Sequence, residues 1–105
     1  MSLPAGPEFD ALRAEYRQAL AAKLDALGAQ WAQVAGGDGA ALEPLVRALH
    51  TLAGSAGTFG FAQIGTAARA AEDFLHTRTP PFGPEDKSEV ERLLQDLRAR
   101  VLSGL

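Results

Sequence analysis

Apolar side chains recur every three or four residues through nearly the whole chain, and that spacing constrains the fold more than any other feature. Phe9, Leu12, Tyr16, Leu20, Leu24, Leu27, Trp31 and Val34 form one such stripe. Leu42, Leu45, Leu49, Leu52, Ala56 and Phe59 form a second. A third runs through Phe61, Ile64, Ala67, Ala68, Ala71, Phe74 and Leu75, and a fourth through Val90, Leu94, Leu97 and Val101 with Leu93 beside it. An α-helix turns once in about 3.6 residues, so each stripe occupies one helix face and marks a buried seam. The punctuation agrees. Gly36-Gly37-Asp38-Gly39 ends the first helix, which spans residues 9–34, and Asp38 or a neighbour is placed to cap the next. Pro44 belongs in the first turn of the second helix, because deeper it would remove a backbone hydrogen bond and clash with the preceding turn. That helix runs to about Gly57, and Thr58-Phe59-Gly60 turns the chain into the third. Thr79-Pro80-Pro81-Phe82-Gly83 is a stiff connector, and Pro84 suits the first position of the last helix.

Short connections between long helices place neighbours antiparallel. The expected fold is all-α, an up-down antiparallel four-helix bundle, with residues 3–8 available for a short extra N-terminal turn. The 105 residues suffice for one core and not two, giving a single domain over 1–105 with its core in 8–103. There are no cysteines, which excludes a disulfide framework or a thiolate metal site and fits a reducing cytoplasm. No stretch approaches the roughly 20 apolar residues of a membrane span, and no signal peptide is visible. The formal net charge is −3, and no basic patch of the kind nucleic-acid binding requires stands out.

Residues 50–60 read H-T-L-A-G-S-A-G-T-F-G. They place a histidine on the second helix and glycines four and seven residues later, beside it on the same face. A glycine inside a helix costs about 1 kcal/mol relative to alanine. Two of them beside one histidine imply that the space next to the imidazole is kept clear for close approach by another protein. On the helical wheel His50 groups with Arg47, Gly54 and Gly57 at the edge of the seam, its outer side bare. The simpler alternative is a histidine that borders a core beside glycines used for close helix packing.

These residues carry a family resemblance. The segment resembles the histidine-containing phosphotransfer (HPt) domain signature H-x-L-K-G-S-A-x-x-x-G, matched by His50, Leu52, Gly54, Ser55, Ala56 and Gly60. A following L-x-x-x-A-x-x-L-E-like stretch is matched by Ile64, Ala68 and Glu72, and Gly57-Thr58-Phe59-Gly60-Phe61 looks like the phosphotransfer domain of chemotaxis-type histidine kinases. One departure stands out: Ala53 occupies the position where the family usually has lysine.

The resemblance implies a phosphorelay carrier without an ATP site of its own and so not an autonomous enzyme. No P-loop or kinase nucleotide motif is present. Nε2 of His50 would carry the phosphoryl group to or from an aspartate of a response-regulator receiver domain, with a histidine kinase as the other partner. Mg²⁺ would come with the receiver and no cofactor would be resident; the carrier is expected to be cytoplasmic and monomeric. Glu72 lies about one turn beyond the level of His50 on the antiparallel third helix, and helical side chains lean toward the N-terminus, so its carboxylate can reach back. In chemotaxis-type relatives the matching glutamate bonds the other imidazole nitrogen, which would fix the tautomer. Arg47 and Arg69 are the candidates to replace the missing lysine as the cation beside the phosphoryl oxygens, or they are ordinary surface arginines. A lysine restored at position 53 would lie about one turn from His50. Ser55 matches the motif, but Ser55 and Thr51 have no apparent base and read as packing or surface groups. His76 stands four residues after Glu72, a spacing compatible with metal ligation. Two other functions therefore stay open: an HPt adaptor that binds receivers without phosphorylation, as Ala53 suggests, and a metal-binding bundle using His50, Glu72 and His76.

Overall fold

The computed structural model describes residues 6–103. They form four helices: α1 (Pro7–Ala35), α2 (Leu42–Thr58), α3 (Ala62–His76) and α4 (Pro84–Ser103), with a 3-10 turn (Gly39–Ala41) before α2. Each helix packs on its neighbours in the chain, and α4 closes on α1 to complete an up-down four-helix bundle of 47 × 24 × 23 Å. Residues 3–5 of the expected extra turn lie outside the described residues; Pro7 and Glu8 belong to the first turn of α1.

The seams meet in one core. Leu20, Leu24, Leu27, Trp31 and Val34 of α1 are buried with Leu45, Leu49, Leu52 and Ala56 of α2. Ile64, Ala67, Ala68, Ala71 and Leu75 of α3 and Val90, Leu97 and Val101 of α4 complete it. The first stripe does not stay buried to its start. Leu12 is 53% exposed, and Phe9 and Tyr16 are half-buried. The reason is length. At about 1.5 Å per residue, the 29 residues of α1 outrun the 17 of α2. Its first turns reach past the body of the bundle and lie instead against the α2–α3 turn. There Tyr16 stacks on Phe59 at 4.6 Å between ring centroids and on Phe61 at 5.9 Å, while Phe9 stacks on Phe59 at 5.9 Å. Arg13 donates from Nε to the Phe59 carbonyl at 2.9 Å and covers the Phe61 ring at 4.1 Å. The Tyr16 hydroxyl and Ser55 Oγ share a 2.6 Å hydrogen bond, and burial pushes the Tyr16 phenol up from its ordinary value, against the lowering effect of that bond.

Two turns fix how the helices follow one another. Gly60 takes φ +84°, which a β-carbon would oppose. Its N–H bonds the Gly57 carbonyl at 3.1 Å and the Phe61 N–H bonds that of Ala56 at 2.8 Å. This is a Schellman ending, in which the left-handed residue closes the free carbonyls of the last turn. Asp38 caps the 3-10 turn, its Oδ1 accepting from Ala40 N at 3.1 Å. Pro44 sits in the first turn of α2 and Pro84 begins α4. Phe82, in the connector between α3 and α4, is buried and packs its ring 6.0 Å from that of Trp31, closing this end of the bundle.

The α2–α3 crossing is the tightest in the molecule for a specific reason. A β-carbon built on Gly65 would stand 3.0 Å from the Ala53 carbonyl oxygen and 3.6 Å from the Gly57 nitrogen. Two backbones approach this closely only where one of them lacks a side chain. With Ala53, Ala56 and Ala68 filling the rest of the interface, α3 is drawn onto α2 along the stretch that carries His50.

Candidate functional site

His50 lies midway along α2, with its side chain 76% exposed. Glu72 projects from α3 and is the one buried charged residue among those described, at 9% exposure. Its Oε2 stands 2.9 Å from His50 Nδ1. An ionised carboxylate can only accept, so the contact calls for the hydrogen on Nδ1, which in a neutral ring leaves the lone pair on Nε2. Burying a carboxylate is costly unless donors compensate it, and the imidazole hydrogen is such a donor.

The surface beside the ring is empty. A β-carbon at Gly54 or at Gly57 would meet nothing within 4 Å. These two glycines are therefore not packing positions; Gly65, which the sequence reading did not single out, is the one at which helices touch. A groove of about 390 Å³ runs between α1 and α2, lined by Lys23, Gln30, Arg47, Thr51 and Ser55 among others, and His50 is not part of it. The imidazole is exposed on the helix surface.

The remaining candidates separate. Arg47 is paired with Glu43 at 2.8 Å, both side chains well exposed. Such an exposed pair is worth only about 0.2–1 kcal/mol and is easily exchanged. Arg69 is exposed on α3 and makes no salt bridge among the described residues. Ser55 is engaged with Tyr16, and its Oγ also donates to the Leu52 carbonyl at 3.4 Å, so it ties α1 to α2. His76 places Nε2 3.5 Å from the same Glu72 Oε2 that His50 uses. Among the described residues no group of three or more His, Cys, Asp or Glu is arranged to hold a metal ion.

Ala53 is part of the helix interface. It is 4% exposed and lies against α3, with its carbonyl at the Gly65 crossing. A lysine there must thread its stem between two helices before the ammonium reaches water. We expect Ala53→Lys to destabilise the bundle by about 1–3 kcal/mol, as overpacking does. Thermal melts check this; a melting temperature equal to that of the natural sequence would contradict it.

Fold and site together define a helical-bundle domain with one exposed histidine whose ring is hydrogen-bonded to a buried carboxylate. The family model described as the Hpt domain matches residues 11–100, and the chain belongs to that family. Hpt domains are phosphocarriers that work with histidine kinases and receiver domains in phosphorelays. No curated protein and no solved structure matches the chain. No helix among the described residues is long and apolar enough to cross a membrane.

Proposed function

We propose that His50 carries the phosphoryl group of a two-component phosphorelay, exchanging it with an aspartate of a response-regulator receiver domain. The observation that carries the reading is an exposed imidazole whose Nδ1 stands 2.9 Å from the buried Glu72 carboxylate. In the forward step the Nε2 lone pair attacks phosphorus of the receiver's aspartyl phosphate. The P–N bond forms, the P–O bond to the aspartate breaks, and the aspartate leaves with the electron pair. The Nδ1 hydrogen stays in place, and the ring becomes a cation that Glu72 stabilises, as an orienting aspartate does in a hydrolase triad. Because His50 sits in no cleft, alignment of the in-line displacement falls to the docked receiver. The receiver also brings the divalent cation. A kinase or a second receiver is the other party, and the chain acts as a cytoplasmic monomer in this reading. The chemotaxis-like Gly57–Phe61 run supports a kinase-associated origin of the phosphoryl group.

Arg69 supplies the cation that position 53 does not, since it is exposed on the helix facing His50 and unpaired among the described residues. The test is incubation with a phosphorylated receiver, followed by assay for acid-labile, base-stable label. His50→Gln is expected to take none. Glu72→Ala should label about 10–100-fold more slowly, the usual cost of losing a residue that orients an imidazole, and Arg69→Ala should shorten the lifetime of the label. A natural sequence that binds receivers but takes no label would establish the adaptor reading in its place.

A further inference from the structure

Glu72 has two imidazoles on one oxygen. His50 Nδ1 approaches Oε2 at 2.9 Å and His76 Nε2 at 3.5 Å. Among the described residues these are the only ion-pair partners of a carboxylate whose side chain is 11% exposed. Arg47 is held by Glu43 on α2 and does not reach it. His76 follows Glu72 by four residues on α3, so the helix itself sets the two side chains on one face. His76 is the last residue of α3 and its side chain is 61% exposed, so packing does not explain its position.

We propose that His76 is a positioning residue for the phosphoacceptor. Its Nε2–H attracts the Glu72 carboxylate and keeps Oε2 turned toward α2, where it accepts from His50. The inference rests on the reading of His50 as the nucleophile. A buried carboxylate with one donor is free to rotate toward solvent. With a second imidazole nitrogen 3.5 Å from the same oxygen it is held at the point where Nδ1 needs an acceptor. The effect passes through Glu72, the carboxylate both rings approach.

The chain contains two histidines, so in any His76 variant the single imidazole signal belongs to His50. Nitrogen-15 NMR of the ring then reads its tautomer directly. In His76→Ala the population of the Nδ1–H tautomer relative to Nε2–H is expected to fall by up to about 5-fold, the size of a partly exposed ion-pair contact. Labelling by a phosphorylated receiver should slow by a similar factor. His76→Gln carries an amide N–H near the position of the imidazole Nε2 and should restore both quantities, which a structural role of the ring would not predict. Unchanged melting temperatures in both variants would show that the fold is not the cause. An unchanged His50 tautomer in His76→Ala, or a glutamine variant no better than alanine, would overturn the assignment. The tautomer measurement needs no phosphoryl donor. Failure of the natural sequence to label therefore overturns the carrier reading alone, whereas an unmoved tautomer overturns this one alone.

Discussion

Gly65→Leu is expected to lower the melting temperature by more than about 10 °C and to separate His50 from Glu72 in whatever folded protein remains. The first side-chain carbon alone would stand 3.0 Å from the backbone oxygen of Ala53. A backbone atom inside a helix cannot swing aside as a side chain can, so α3 must lift off α2. Leucine improves helix propensity by about 0.8–1 kcal/mol over glycine, but overpacking costs about 1–3 kcal/mol in ordinary cores, and here four heavy atoms enter a site with room for none. A net loss above about 2 kcal/mol corresponds to a shift of roughly 10 °C or more in a domain of this size. Circular-dichroism melts decide the matter. A variant that melts within a few degrees of the natural protein would show that the crossing accommodates a side chain at this position.

The same substitution eleven residues earlier in the chain should do the reverse to stability and far more to function. At Gly54 a β-carbon meets nothing within 4 Å, so Gly54→Leu should raise the melting temperature by several degrees through helix propensity alone. The new side chain stands one turn from His50, in the space a receiver must enter. In-line transfer tolerates little misplacement, and about 1 Å can cost 10²-fold. We expect phosphoryl transfer from a receiver to fall by about 10²-fold or more in a fully folded protein. Transfer at the natural rate would show that this face is not the docking face, and the reason offered here for the glycine would be lost.

The two glycine classes also show how far the sequence could be read. Periodicity revealed the four helices, because each buries one continuous stripe, and Pro44, Gly60 and Pro84 fell where backbone chemistry requires them. It revealed Gly54 and Gly57 because an unexplained helix-breaking cost next to a histidine is visible without coordinates. Gly65 was hidden in a run of alanines, where one more small residue carries no signal until the opposing backbone is known. The burial of Ala53 was hidden for a related reason. On an isolated helix its side chain lies near the His50 face, but α3 presses so closely on α2 that the burial zone widens to include it. Tyr16 and Ser55 stand far apart in sequence, and no local pattern announces their bond. The contact of His76 with Glu72 was legible as a four-residue spacing, but spacing alone does not distinguish a shared carboxylate from a pair of metal ligands.

The Schellman turn at Gly60 has a bearing on how such a domain can diversify. It joins α2 directly to α3, and residues 42–76 contain the imidazole, its carboxylate, the second histidine, both open glycines and the crossing that sets their spacing. The reactive group is thus local to one helical hairpin, and α1 and α4 act on it only as cover. Substitutions on the outer faces of those two helices touch neither side of the His50–Glu72 contact. The geometry of that contact is inherited with the hairpin, so a lineage can vary the rest of the bundle's surface while keeping it.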